Sequence, residues 1–519
     1  MSASIRWSAL PAASLLCVTL ICAAPAAEAA EQGAVQPAVQ ASPQPAAAPP
    51  LTPVDGAAIA AAARAAAQDG LPVADLDPLA AALAAPDATA RAGAEAMLAL
   101  AAVRIAEAQH GRLANPRALD SDWALRAPYD AAKAFETARA AGAVPAWAAA
   151  LRPVQPGYVS LAAARVRYAD IVAKGGWPLV GAGPKVAVGA ADPRIAILRA
   201  RLAAEGYAVP EASAPEPRTP EAKAPEAKAP GAKTPDAKAP DAKAILDAPL
   251  SKVLADFQAR HALPASGVLD AASQAELDVP AAARLAAIDL NLERERWLPA
   301  ALPADRIEVD IAAQSLTVFQ DGRPGLSMRA IVGSPTHHTP SFVTRTTAVV
   351  FNPPWVVPSS IASAELYPKE RRSPGYFARN GFHIANGQLI QAPGPKAALG
   401  YVKFDLISPF GVYLHDTPSR SLFKRDRRAL SHGCMRLEMP RELAALLLGK
   451  QGWTRADVDA AIAAGATRRV GLTVQTPVFV IYRTAVADAA GVLNTRPDVY
   501  RWDAKLAAAL QGQPAAVVH

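Results

Sequence analysis

Apolar residues follow two different periods in two parts of the chain. From about 55 to 180 they recur at helical spacing in Ala-rich runs, as in Ala94, Met97, Leu98, Ala101 and Ile105. Gly175-Gly176-Trp177-Pro178 breaks that pattern. Pro193 to Gly206 then predicts a helix with Ile195, Leu198 and Leu202 on one face and a glycine just past its end. Helical spacing resumes over Ile245 to Ala262, with Leu250, Val253, Leu254 and Phe257 on one stripe. Gly267-Val268-Leu269-Asp270 turns the chain into a short helix, Ala271 to Leu277. From about 305 a strict alternation takes over. Ile307 to Ile311, Leu316 to Phe319 and Met328 to Val332 predict strands, with a turn at Asp321-Gly322 and an end at Gly333. Further strands are predicted at Val349 to Phe351, Gly411 to Leu414, Val470 to Val474 and Val478 to Tyr482, with a helix at Glu442 to Leu448 behind Pro440. The Pro/Gly-rich stretch between Trp355 and Phe410 is long for a loop in a compact domain, and reads as a cap or lid at about 356–410.

Three segments carry no periodic pattern. Residues 1–29 hold one charge, Arg6, before the apolar run Leu10 to Ala24 and an A-x-A site at Ala27-Glu28-Ala29. This is the layout of a cleaved secretory signal, and it predicts a periplasmic protein. The residues before Cys17 and Cys22 are too bulky for lipoprotein processing. Residues 30–52, rich in Ala, Pro and Gln, read as a flexible spacer. The third segment, 211–243, contains five copies of a five-residue unit, Thr219-Pro-Glu-Ala-Lys to Ala239-Pro-Asp-Ala-Lys. A proline every five residues forbids a continuous helix, and the unit has nothing to bury. Its acids nearly cancel its lysines, so a solvated spacer fits better than a polyanion contact.

Composition adds bounds. The chain has 519 residues, 48 of them proline, and a net charge of +7. The apolar fraction of 52% supports a large core. The charge suits anionic surroundings such as a cell wall, but no basic stripe interleaved with aromatics argues for nucleic acid. With Cys17 and Cys22 removed alongside the signal, Cys434 is the one cysteine left. An internal disulfide is then impossible, and so is a Cys-rich metal site.

Cys434 sits in Ser431-His432-Gly433-Cys434-Met435-Arg436, downstream of Tyr413-Leu414-His415. A thiol needs a base to react near neutral pH, and His415 and His432 are both candidates. Gly433 lets backbone N–H groups approach a reacting carbonyl, and Arg436 suits a substrate carboxylate. A buried structural cysteine, with histidines that bond nearby loops, is the other reading of the same residues. His337-His338 lacks ligand-type neighbours in sequence and reads as a loop, and no metal site is predicted.

The stretch Tyr413 to Leu437 closely resembles the signature of the L,D-transpeptidases, His-x-Thr…Ser-His-Gly-Cys-x-Arg, with the histidine and cysteine 19 residues apart as in the large periplasmic branch. Leu290 to Pro299, Gly333 with Thr339-Pro340, Asn352-Pro-Pro-Trp355 and Gln391-Ala-Pro-Gly394 fit as well. Leu198 to Leu202, Gly206-Tyr207, Phe257-Gln258, Leu263 and Gly267-Val268 resemble a three-helix peptidoglycan-binding module; a helical packing unit that binds no glycan is the alternative. The resemblance implies a multidomain chain. A helical scaffold spans 53–185 and continues at 279–300, and the module at 186–278 is interrupted by the repeat. A β-rich catalytic domain follows at 304–485, a mixed β-sandwich with short helices, and 486–519 forms a C-terminal extension.

The same resemblance makes Cys434 the nucleophile and His415 its base. The backbone around Gly433 and Cys434 would hold the oxyanion, and Ser431, His432, Arg436, Tyr413 and Trp355 would line the oxyanion and substrate sites. It implies no cofactor. The partners implied are peptidoglycan stem tetrapeptides as donor and acceptor, and glycan strands on the module. Family analogy adds D,D-carboxypeptidases and other wall synthases. The expected reaction is 3-3 cross-linking, with hydrolysis, D-amino-acid exchange or a non-catalytic wall scaffold as alternatives. Ile390, Ala397 and Ser408 depart from the family pattern near the cap.

Overall fold

The computed structural model describes residues 48–125, 127–212 and 242–511. The predicted signal peptide, most of the spacer before residue 53 and nearly all of the Pro/Lys repeat lie outside the described residues, as do residues 512–519. Among the described residues no helix is long and apolar enough to cross a membrane.

The N-terminal part is helical. Helices Pro53–Gln68, Ala88–Gln109 and Ala131–Ala140 bury Ile59, Ala63, Leu98, Ile105 and Phe135 in one core. The first begins with a capping box at Thr52 and Asp55, the second with Asp87 accepting from two backbone N–H groups. Helix Pro156–Ala173 packs along Ala281–Arg296 through Tyr158, Leu161, Ile288 and Leu292. This joins 281–296 to the earlier helices across a long sequence gap. Between them lies a small unit with its own core. Ile195, Leu198 and Leu202 of helix Arg194–Ala204 meet Leu250, Leu254 and Phe257 of helix Ala248–Arg260, and Leu277 closes them. The two sides of the repeat therefore share one apolar core.

Strand β1 is Arg306–Asp310, β2 Ser315–Gln320, β3 Arg323–Gly333 and β4 Phe342–Phe351. Next come β5 Trp355–Val356, β6 Phe382–Ala385, β7 Gln388–Gln391 and β8 Val402–Leu406. Then follow β9 Leu414–His415, β10 Ala429–Ser431, β11 Met435–Leu437, β12 Arg468–Gly471 and β13 Pro477–Ile481, and β14 Ala485–Ala487 and β15 Leu493–Thr495 form a separate pair. The main sheet runs β10-β3-β11-β9-β8-β4-β13-β1-β2, with β12 on β4. Because β2 also pairs with β3, the path closes on itself, and the expected β-rich mixed fold takes the form of one curled sheet. Its inner positions, among them Val309, Val318, Val349, Phe404, Leu414, Met435 and Val480, form the largest core.

The cap is narrower than 356–410. Strands β5, β6 and β7 form a separate three-stranded sheet, and Val357, Ala362, Leu366, Phe382 and Leu389 form its own core. Val402–Leu406 does not belong to it: β8 is a central strand of the main sheet, between β4 and β9. Its alternation of Val402 and Phe404 with Lys403 and Asp405 places the apolar pair in the core. The strand expected at 411–414 starts only at Leu414, because Gly411 turns the chain at φ 66°.

Candidate active site

The site grows out of the pairing of β9 with β11. The strands are parallel, with Leu414 opposite Met435 and His415 opposite Arg436, and the Met435 N–H donates to the Tyr413 carbonyl at 3.1 Å. Leu414 and Met435 are fully buried in the core. The alternate positions face the other way, so Tyr413, His415, Cys434 and Arg436 share one face. Lys403 of β8, opposite His415, joins them. Cys434 and His415 are diagonal neighbours on this face.

His415 is buried, and its Nδ1 lies 2.6 Å from the Asp416 carbonyl. A carbonyl only accepts, so Nδ1 carries the hydrogen and Nε2 the lone pair. Burial, reinforced by the charges of Arg436 and Lys403, pulls its pKa down to about 3. Burial pushes the Cys434 thiol up, while the Tyr413 N–H and hydroxyl and the charges of Arg436 and Lys403 pull against it. Both groups therefore rest uncharged. The two cations favour a thiolate and oppose an imidazolium. The Tyr413 hydroxyl interacts with both the Cys434 sulfur and the Trp355 side chain, and its own pKa is raised by burial and by that sulfur. Its ring lies 5.6 Å from that of His415 and carries Lys403 Nζ at 4.6 Å from its centre. Burial lowers the Arg436 pKa, and its Nε is buried without a hydrogen-bond partner among the described residues. That leaves a partly desolvated cation on the face that carries Cys434.

Other assignments shift with the coordinates. Ser431 does not face a substrate: it is buried, its Oγ donates to the Cys434 carbonyl at 2.6 Å, and it accepts from the Gly433 N–H at 3.2 Å. The Gly433 N–H is thus engaged within the loop, and Cys434 supplies the backbone N–H left for an oxyanion. Gly433 has φ 110°, and a Cβ there would stand 3.0 Å from the His338 carbonyl. His432 is partly exposed, with Nε2 2.6 Å from a Glu365 carboxylate oxygen of the cap. Trp355, the first cap residue, is half-buried and lies 6.4 Å from Phe382.

The sequence gives no role at the site to Glu365, Lys403 or Thr339, although Thr339 belongs to the resemblance. They stand 69, 31 and 95 residues before Cys434, and only the strand pairing and the cap bring them near. The reading that His337-His338 lacks ligand-type neighbours is corrected for His338. Its Nδ1 is 3.2 Å from Asp122, and Asp120 is close by. Those atoms are spent elsewhere: Lys505 Nζ and the Trp502 indole both donate to Asp120, and His338 Nε2 meets the Pro335 carbonyl. The departures from the family pattern fall at three local positions. Ile390 pairs in the cap sheet, Ala397 is buried in the loop before β8, and Ser408 accepts from the Phe410 N–H.

Comparison with known proteins bears on this domain. Residues 304–480 match the family model described as the L,D-transpeptidase catalytic domain, and residues 52–164 match a scaffold domain. Residues 304–480 thus form an L,D-transpeptidase catalytic domain. A putative L,D-transpeptidase of Haemophilus influenzae is 33% identical over 238 residues, 42% of this chain and 48% of that protein. The chain thus spans about half the length of the curated relative it matches. An L,D-transpeptidase structure from Mycobacterium smegmatis is 19% identical, with a TM-score of 0.20, covering 34% of this chain and 58% of that one. One from Xylanimonas cellulosilytica is 14% identical, with a TM-score of 0.17, covering 58% and 98% respectively.

Proposed function

We propose that the protein is a peptidoglycan L,D-transpeptidase that works through a Cys434 thioester. The observation that carries this is the shared face of Cys434, His415, Tyr413 and Arg436 within the matched catalytic domain. His415 Nε2 takes the thiol proton as the sulfur attacks the carbonyl of the third stem residue, in the family's usual substrate a diaminopimelate. The Cys434 N–H stabilises the oxyanion, and the desolvated Arg436 receives a stem carboxylate. The C–N bond to the terminal D-Ala breaks, and His415 returns the proton to that leaving amine. The side-chain amine of a second stem then attacks the thioester and gives up a proton. The sulfur leaves and regains its hydrogen, and a 3-3 cross-link has formed.

The signal-like N-terminus supports a periplasmic setting for this chemistry. The small helical unit would hold glycan strands near the site, and D,D-carboxypeptidases would supply the tetrapeptides. Purified protein incubated with tetrapeptide-stem muropeptides tests the reading by mass spectrometry. Dimers that disappear in Cys434→Ala support it. Dimers that persist in Cys434→Ala refute it, and tripeptide without dimer assigns transfer to water instead.

A further inference from the structure

The nucleophile's loop is held from outside the segment that matches the catalytic family. Thr339, fully buried, donates from Oγ1 to the Gly433 carbonyl at 2.7 Å and accepts from the Gly333 N–H at 2.8 Å. Its own N–H donates to the Tyr500 hydroxyl at 3.1 Å, and that hydroxyl donates to the Gly333 carbonyl at 2.8 Å. Tyr500 lies twenty residues beyond the match, which ends at 480. It is fixed in turn: its N–H donates to the Tyr482 hydroxyl at 3.0 Å, its ring stacks on His338 at 4.3 Å, and Trp502 packs beside it at 5.0 Å.

A peptide unit is planar and trans, so the Gly433 carbonyl and the Cys434 N–H point in opposite directions from one rigid plate. Holding the carbonyl on Thr339 therefore aims the Cys434 N–H away from it. The Gly433 N–H, spent on Ser431, offers no replacement. We infer that Tyr500 and Thr339 form a positioning relay from the C-terminal segment that orients the Cys434 N–H as the oxyanion donor, an inference that rests on the acyl-transfer reading above. Tyr500 touches no reacting atom. It acts through Thr339 on the plane of one peptide group.

The test exploits a difference between two reactions of one sulfur. Acylation by a carbapenem develops an oxyanion; alkylation by iodoacetamide displaces iodide and develops none. In the full chain, Tyr500→Phe and Thr339→Val are expected to lower the acylation rate constant at saturating carbapenem by about 10–100-fold, the scale of a weakened oxyanion donor. The half-saturating concentration and the alkylation rate stay at wild-type values. Thr339→Ser, which keeps the hydroxyl, retains most of the rate that Thr339→Val loses. Acylation of Tyr500→Phe at the wild-type rate overturns the relay, as does an equal loss of acylation and alkylation. A wild-type chain that alkylates but never acylates counts against the transpeptidase reading. The relay is then decided by amide hydrogen exchange over residues 431–435, which Tyr500→Phe must accelerate if the relay exists.

Discussion

An imidazole buried among cations has a cost that pH reveals. His415 has a folded pKa of about 3 against an ordinary value of 6.5, because burial and the charges of Arg436 and Lys403 disfavour its proton. The unfolded chain binds that proton and the folded one does not, so this residue's contribution is present above about pH 6.5 and is lost as pH falls toward 3. Replacing it by glutamine should flatten the fall in stability across that window. Denaturant midpoints of the wild type and His415→Gln at several pH values between 7 and 4 check this, and parallel curves would contradict it. His110 and His261 are also pulled down by burial, but they are common to both proteins and cancel in the comparison. At this scale the sequence was informative where chemistry is local: Cys434 and His415 stand in one recognisable run that ends on paired strands. Glu365 and Tyr500 are illegible, because nothing in their own neighbourhoods distinguishes them from ordinary polar or aromatic positions, and Thr339 is visible only as part of the resemblance, without a role. Ser431 was read as facing substrate, when the loop's own hydrogen bonds turn it inward.

Among the elements, the cap depends on how β4 hands the chain over to it. Asn352 stands at φ 46°, and its side-chain nitrogen lies 3.2, 3.0 and 3.2 Å from the carbonyls of Ala461, Ile462 and Ala466. Thr467 Oγ1 donates to its backbone carbonyl at 2.7 Å. This buried anchor ties the helix Arg455–Ala463 to the two prolines that lead to Trp355. Asn352→Ala removes the amide that serves these carbonyls and keeps a left-handed backbone without the side chain that tolerates it, so it should destabilise the domain by about 1–3 kcal/mol. Denaturant unfolding followed by tryptophan fluorescence measures it, and a change within about 0.5 kcal/mol would remove the anchor from the account. Strands with clean alternation, such as Ile307 to Ile311, were predictable. β8 was absorbed into the cap because its five residues lie in a Pro/Gly-rich stretch, and a short strand there becomes visible only through its partners.

Across the whole molecule, buried ion pairs join parts that composition alone separates. Arg483 bridges Glu295 of helix Ala281–Arg296 and Glu308 of β1, the latter at 2.7 Å. The Tyr168 hydroxyl donates at 2.6 Å to Glu205, which also accepts from Arg201 at 2.7 Å, tying the small helical unit to the helix Pro156–Ala173. The contacts of Arg483 span 175 and 188 residues and that of Tyr168 spans 37, and they leave no trace in local pattern. The Pro/Lys repeat is the opposite case. The chain on either side of it is stitched by the Asp192 N–H to the Ala244 carbonyl at 2.8 Å and the Leu246 N–H to the Ala190 carbonyl at 3.0 Å. Because closure entropy grows slowly with loop length, replacing 213–241 by a Gly/Ser linker of about twelve residues should leave the thermal midpoint within roughly 3 °C of the wild type. A calorimetric midpoint that drops much further would give the repeat a part in folding.

The claim that all of this chemistry passes through one sulfur is tested most directly by intact-protein mass spectrometry after exposure to meropenem. The account predicts a single covalent adduct on the wild-type chain, mapped by digestion to Cys434 and missing in Cys434→Ala. An unmodified wild type, or an adduct that survives the substitution, would contradict it.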